Sequence, residues 1–244
     1  MNIDYVILGS DENPYYYDFW PIVSKIWKEV FKVTPVLGLI SDEDSDFQKT
    51  EYGIIKKFKK IEKVDVGLQS QIVRIFLPKF LNGNCLVSDI DMIPLSTKYF
   101  IESSSGLTHN NLIIYSSDNP ECLRNNMYPI CYFAAHSNIF SKLFDLDLNW
   151  EQFCFFLRNR NEKWYTDQKY LYEKTNTFCS KNECIFLKRG WDGWNGPAYK
   201  RIDRINWVYD KSKVKEGHYI DCHSLRPFKT YKKEIEELVN LLFI

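Results

Sequence analysis

Asp89 and Asp91 stand one residue apart at the end of the run Cys85-Leu-Val-Ser-Asp-Ile-Asp-Met-Ile93. In a strand, side chains two residues apart point the same way, so both carboxylates converge while Ile90 returns to the core. Leu86, Val87 and Ile93 predict a buried strand with the pair at its carboxyl end, the edge where ligands of open α/β sheets bind. Hard carboxylate oxygens suit Mn²⁺ or Mg²⁺, and such an ion in turn holds a diphosphate. An Asp-x-Asp pair by itself is common in a chain this acidic, and its other reading is a solvated turn. What sets this pair apart is its surroundings: the apolar strand before it, Pro94 after it and a helix just upstream.

Those surroundings read as alternating strands and helices. Asp4-Tyr-Val-Ile-Leu-Gly9 is a short apolar run ended by glycine, as in a buried strand that opens into a loop. Phe19 to Phe31 carries apolar residues at helical spacing, with Pro21 in its first turn. Pro35–Ile40 is a second buried strand, followed by the acidic loop Ser41–Asp46. Strand, helix and strand at this spacing form a βαβ unit, which builds a parallel sheet. Gln69–Leu81 predicts another amphipathic helix. Leu112–Ser116 and Ile130–Ala135 predict strands, and Asn138–Phe144, Trp150–Arg158 and Asp167–Glu173 predict helices. From Arg189 the texture becomes loop chemistry, Gly-Trp-Asp-Gly-Trp-Asn-Gly-Pro197. Trp191, Asp192 and Trp194 there suit an acceptor-binding lid or platform, or tryptophans folded back on the core. Lys229–Leu242 returns to an amphipathic helix.

At residue level, the strand ending in Gly9, the helix bearing Arg74 and the run Asn82-Gly-Asn-Cys-Leu-Val-Ser-Asp-Ile-Asp-Met-Ile-Pro-Leu95 resemble the Asp-x-Asp glycosyltransferases of GT-A fold. The pattern looks most like glycogenin-like enzymes and bacterial galactosyltransferases. It is also similar to glycosyltransferase domains encoded by large algal DNA viruses. The resemblance implies an α/β, Rossmann-like fold with a mixed, mostly parallel central sheet flanked by helices. It implies one domain over 1–244, with a nucleotide-binding half at about 1–95, an acceptor-binding half at about 96–228 and a C-terminal helix at 229–244.

It also implies roles. Asp91 would be the firmest ligand of Mn²⁺ (or Mg²⁺), and Asp89 would contact the metal, the ribose or both. Leu8, Gly9 and Ser10 would receive the nucleotide, with Gly9 letting the backbone approach it. Ser88 and Ile90 would complete that nucleotide-sugar site, with Arg74 pointing at the donor from its helix. The bland alternative for Arg74 is a surface salt bridge. Asp221-Cys-His-Ser-Leu-Arg-Pro-Phe228 looks like the family's late histidine segment, so His223 would be a third metal ligand and Arg226 a contact to the diphosphate. The family places a glycine between the two and a lysine at the second; here Ser224 and Leu225 intervene and the base is arginine. Asp167 and Gln168 resemble the step beneath the transferred sugar, where a carboxylate binds hydroxyls or acts as general base. Asp167 would serve as a helix N-cap in either case. His136 falls where related enzymes line a sugar pocket.

The donor would be a nucleoside diphosphate sugar, UDP-linked by resemblance alone, and the acceptor a glycan or glycoprotein. Composition narrows the rest. With 32 basic and 32 acidic residues the chain lacks the basic excess of a dedicated nucleic-acid binder. No stretch approaches the ~20 apolar residues of a membrane span, and the start lacks the charged and apolar regions of a signal peptide. A cytoplasmic protein is therefore expected, in a host cytoplasm if viral. The seven cysteines show no C-x-x-C pair and predict buried thiols. Two other functions share some of these features. A sugar-phosphate nucleotidyltransferase would normally carry a basic, Gly-rich loop where Gly9-Ser-Asp-Glu-Asn-Pro-Tyr15 stands. A non-catalytic carbohydrate-binding module would explain the aromatics but not the carboxylate pair.

Overall fold

The computed structural model describes residues 2–105, 108–189 and 201–243. Its main sheet is built from β1 (Tyr5–Asp11), β2 (Thr34–Ser41), β3 (Gln48–Lys49), β4 (Ile54–Lys59) and β5 (Asn84–Val87). A smaller sheet takes β6 (Met92–Pro94). The main sheet resumes with β7 (Leu112–Tyr115), β8 (Phe133–His136) and β9 (Cys184–Leu187), and β10 (Arg201–Asp203) and β11 (Asp221–His223) complete the smaller one. The large sheet runs β3-β4-β2-β1-β5-β8-β7-β9 and the small one β10-β11-β6. β4, β2, β1 and β5 are mutually parallel, whereas β8 runs against both of its neighbours. This is the mixed, mostly parallel α/β architecture that the resemblance implies, and β1 and β2 form the parallel pair that the βαβ spacing predicts.

Alternate residues of the central strands feed two apolar layers. Val6 and Leu8 join Trp20, Val23 and Trp27 of the helix Trp20–Glu29, while Ile7 faces Ile72, Val73 and Phe76 on the other side. Val6, Ile7 and Leu8 are all fully buried, as strands covered on both faces must be. The helix Val66–Phe76 starts at Asp65, whose carboxylate accepts the Leu68 amide at 2.9 Å. It crosses the sheet over two glycines that the parallel register sets side by side, Gly9 opposite Gly38. A Cβ on Gly9 would lie 2.2 Å from the Ser70 carbonyl oxygen, and one on Gly38 2.7 Å from Val73 Cγ2. The glycines are therefore a seat for the helix. This close approach of protein to protein by itself requires glycine at position 9.

Four expectations change. The strand predicted through Ile93 breaks after Val87, and Asp89–Asp91 lie in a turn closed by the Met92 amide on the Asp89 carbonyl at 3.2 Å. The two strands flanking that turn belong to different sheets. The helix expected at 167–173 runs from Thr166 to Cys179, so Asp167 sits inside its first turn and Tyr165 takes the capping position. The C-terminal helix covers only Lys232–Val239 before a tighter last turn. Cys179, ending one element, and Cys184, starting β9, have Cα atoms 5.6 Å apart and form a disulfide, whereas all seven cysteines were expected as thiols. Among the described residues no helix is long and apolar enough to cross a membrane.

Replacing Gly9 with alanine forces the helix off its seat. We expect a loss of about 1–3 kcal/mol, read as a lowered urea midpoint with an unchanged slope. Unaltered stability would show that the helix has room to shift.

Candidate functional site

The carboxyl ends of β1 and β5, the helix Val66–Phe76, the 88–91 turn and the start of the helix Thr166–Cys179 surround a cleft of about 370 Å³. Arg74 anchors it. The guanidinium is buried, reaches Asp167 Oδ2 at 3.0 Å through Nη2 and bonds to Asp89 Oδ1 through Nη1. Its Nε donates to the Gln71 carbonyl at 3.0 Å, so the helix itself sets its direction. Asp167 is fully buried, and its other oxygen accepts the Gln168 amide at 2.8 Å. Burial pushes the Asp167 carboxyl above its ordinary range, and Arg74 opposes only part of that rise. With both oxygens engaged, Asp167 is placed to hold Arg74 and Gln168, and a general base would first need one oxygen released.

The small sheet brings the far end of the chain to the same place. Its antiparallel register sets His223 opposite Met92, next to Asp91, and its parallel register sets Asp203 opposite His223. The imidazole then lies between two carboxylates, with Nε2 3.6 Å from Asp91 Oδ2 and Nδ1 3.5 Å from Asp203 Oδ2. Burial disfavours the imidazolium, but Asp203 and Asp91 outweigh it and raise the His223 pKa. Asp91 is 5% exposed. Burial alone would raise its carboxyl, yet His223, Arg226 and Arg204 together hold it below the usual value. Arg204 and Arg226 reach its Oδ2 at 3.1 and 3.4 Å.

Most residues singled out from sequence converge here. Gly9, Ser10, Arg74, Asp89, Ile90, Asp91, Asp167, Gln168, His223 and Arg226 all line the cleft. Three do not. Leu8 points into the core, because strand parity sends Gly9 and Leu8 to opposite faces. Ser88 is fully buried, its amide on the Ile7 carbonyl at 3.0 Å, and it supports the turn from beneath. His136 pairs with Asn84 at the start of β5, about 10 Å along the strand from the cleft end. β8 runs antiparallel, so its last residue emerges at the opposite edge, where His136 Nδ1 accepts the Asn138 amide at 3.2 Å and caps a helix. Trp191, Asp192 and Trp194 lie outside the described residues.

Sequence reading missed Asp203 and Arg204. Their only signal was the three-residue alternation Arg201-Ile-Asp203, set in loop-like surroundings, with Arg204 just past its end. It also missed a second ionic cluster. Asp221, fully buried, receives Arg189 at 2.8 and 2.6 Å and Arg201 at 2.8 and 2.8 Å, and Arg189 Nε reaches Ser116 Oγ at 2.9 Å. Both arginines line a neighbouring recess of about 300 Å³ that shares Asp89, Ile130, Gln168 and His223 with the cleft.

The donor set suits a hard divalent cation. Asp91 and His223 point at one another, and Asp203 behind the imidazole is the outer carboxylate that commonly orients a ligating histidine. Among the described residues no three ligating side chains are gathered in advance, so such an ion would need ligands from its partner molecule as well. Charge points the same way. Asp11, Asp89, Asp91 and Asp167 line the cleft against Arg74, Arg204 and Arg226, with His223 between. A diphosphate entering there meets no fixed positive excess.

No family model matches the sequence, and neither does any curated protein. Solved structures do. The galactosyltransferase LgtC, in complex with donor and acceptor sugar analogues, aligns at TM-score 0.52 and 10% identity, over 98% of this chain and 95% of its own. The fold is of the GT-A glycosyltransferase type. A glycosyltransferase involved in glycosylation of the major capsid of PBCV-1 aligns at TM-score 0.48 and 9% identity over 100% of both chains. The glycosyltransferase GlyE of Streptococcus pneumoniae TIGR4 aligns at 0.45 and 12%, over 100% of this chain and 64% of its own. Within the GT-A-type fold, the cleft lies at the carboxyl edge of the parallel strands, where open α/β sheets bind ligands.

Asp221 yields a prediction with a defined sign. Burial would raise its carboxyl, but Arg189 and Arg201 depress it far below the usual range. The unfolded chain therefore binds the extra proton. The cluster's stability is complete above the ordinary carboxylate pKa of about 4 and drains away as pH falls below it. Asp221→Asn leaves two guanidiniums without their counter-charge and should cost about 3–5 kcal/mol at pH 7. In urea titrations the gap to wild type should narrow below pH ~4; a gap that stays constant there would contradict the assignment.

Proposed function

We propose that this chain is a metal-dependent glycosyltransferase that moves a sugar from a nucleoside diphosphate sugar, UDP-linked, to a hydroxyl of a glycan acceptor. The observation that carries the reading is the meeting of Asp91 and His223, with Asp203 behind the imidazole, at a cleft that also presents Arg74, Arg204 and Arg226. In this reading Asp91 and His223 hold Mn²⁺ or Mg²⁺, with Asp89 beside them. When bound, the ion neutralises the leaving diphosphate.

The chain's own groups do the remaining work. Arg226, stacked at 5.1 and 5.0 Å on Tyr15 and Tyr16 and donating to the Tyr16 hydroxyl at 2.6 Å, presents a fixed guanidinium to a phosphate. Gly9, Ser10 and Asn13 line the end of the cleft that would receive the nucleoside. Gln168 lines both the cleft and the neighbouring recess, so its amide would meet the sugar where donor and acceptor come together. Asp167 keeps the Gln168 backbone and Arg74 in place. Trp164, 60% exposed at the rim, offers a flat apolar surface near the acceptor side. The nucleotidyltransferase alternative finds less support, because the segment after β1 brings Asp11 and Asn13 into the cleft in place of phosphate-binding lysines or arginines.

A thermal-shift screen of nucleotide sugars with and without Mn²⁺ tests the reading. UDP-sugars should stabilise wild type only when Mn²⁺ is present, by roughly 2.7 kcal/mol at a hundred times the Kd. Asp91→Asn should abolish the shift, and Asp203→Asn should weaken Mn²⁺ affinity about tenfold to a hundredfold. A wild type indifferent to every nucleotide sugar and metal would end the proposal.

A further inference from the structure

The two guanidiniums at Asp91 Oδ2 are not equivalent. Arg226 has other partners, the Tyr16 hydroxyl and the faces of Tyr15 and Tyr16. If Asp91 were taken from it, Arg226 would stay where it is. Arg204 has no such hold. Among the described residues its hydrogen bonding is to Asp91 alone, at 3.1 Å. About a quarter of its side chain is open to solvent. The backbone it stands on lies at the end of β10, in a turn whose next residue, Ile205, is 86% exposed.

A guanidinium 3.1 Å from Asp91 Oδ2 opposes a divalent cation bound at the same carboxylate. The two cations would repel one another at a separation where a partly buried site screens poorly. Of the two guanidiniums at Asp91, the contacts single out Arg204 as the one free to move away. Once released, it remains in a cleft where Arg74 engages Asp89 and Asp167, His223 engages Asp203, and Asp11 accepts the Asn13 amide. A diphosphate, carrying more charge than the single carboxylate of Asp11, is the stronger partner for it.

We propose that Arg204 is the internal counter-ion of the cation site: it neutralises Asp91 while the cleft is empty and passes to the diphosphate when metal and nucleotide enter together. The inference rests on the metal-dependent reading given above. It makes free metal a poor ligand and the metal–nucleotide pair a good one, because the guanidinium opposes the first and rewards the second. By reciprocity, nucleotide must raise metal affinity by the same factor as metal raises nucleotide affinity.

Calorimetric titrations of free Mn²⁺, and of UDP at saturating Mn²⁺, into wild type, Arg204→Gln and Arg204→Lys separate the outcomes. Arg204 is partly exposed and outside the core, so the variants should fold, and circular dichroism checks this. Arg204→Gln should bind Mn²⁺ alone about tenfold more tightly and Mn²⁺-loaded UDP about tenfold more weakly, with Arg204→Lys staying near wild type in both. Opposite signs in the two titrations are the signature. If both affinities fall together, Arg204 merely props Asp91 and the assignment is overturned; if neither moves, it is overturned as well. Wild type that binds UDP only with Mn²⁺, beside an Arg204→Gln of unchanged metal affinity, sinks this inference and leaves the glycosyltransferase reading standing. Wild type without Mn²⁺-dependent UDP binding removes both.

Discussion

Arg74 between Asp89 and Asp167 is the constraint from which the rest of the cleft follows. The guanidinium is buried, and a buried charge is tolerable only where it is paired and its hydrogen bonds are met. Here they are met by two carboxylates ninety-odd residues of chain apart in one case and fifteen in the other. That pairing ties the turn after β5 to the first turn of a helix from the second half of the chain. Its reach depends in turn on how deep the helix Val66–Phe76 lies, and that depth is set by Gly9 and Gly38, which remove two Cβ atoms from the surface beneath it. A well-packed apolar residue in place of the ion pair could be as stable or more so. What the pair contributes is placement: three elements cannot move independently while one arginine bonds to two of them from the third.

The small sheet solves a different problem, which is to carry residues from the last quarter of the chain to Asp91. Its strands are three residues each, too short to hold together by ladder bonds alone. Ile93, Ile202 and Cys222 anchor it in the core, and Asp221 clamps it with arginines from both sides of residues 190–200. The clamp and the site are two residues apart on β11. Asp221 points into the ionic cluster and His223 into the cleft, on the same face of a strand whose middle residue, Cys222, packs inward. A single strand thus couples the stability of the sheet to the position of the imidazole.

Much of this was legible in the sequence, and the parts that were not share a cause. Apolar runs and helical spacing locate β1, β2, the helix Trp20–Glu29 and the helix Trp150–Arg158 because those elements are buried on at least one face, and burial writes a period into the residues. Asp89 and Asp91 were found for a reason only half right: they converge through a turn between two sheets, a break invisible in Leu-Val-Ser-Asp-Ile-Asp-Met-Ile because the alternation continues across it. Strand direction leaves no mark in composition, so nothing in Phe133–His136 says that β8 runs backwards and delivers His136 to the wrong edge. β10 leaves little mark in the sequence because three residues are too few to establish a period against polar neighbours. Long-range ion pairs are hardest of all. Asp221 looks like any acidic residue until two arginines from distant positions are seen to close on it.

The pairing of charges also bears on how the cleft would work. Every carboxylate that could serve the proposed chemistry already has an internal cation: Asp89 and Asp167 share Arg74, Asp203 has His223, and Asp91 has Arg204, Arg226 and His223. These four carboxylates are therefore close to balanced by their own cations, and the cleft folds without a large desolvated charge of either sign. In the proposed reaction a diphosphate draws guanidiniums toward itself, and each one that turns leaves its carboxylate short of a cation. Asp91 and His223 would then be the residues to hold a divalent ion bound together with the nucleotide, which would make good that shortage. Phosphate binding and metal binding are then two halves of one exchange of partners, coupled by charge stoichiometry. In that reading the arginines supply the coupling, and their arrangement around Asp91 matters as much to the proposed function as the acidic pair itself.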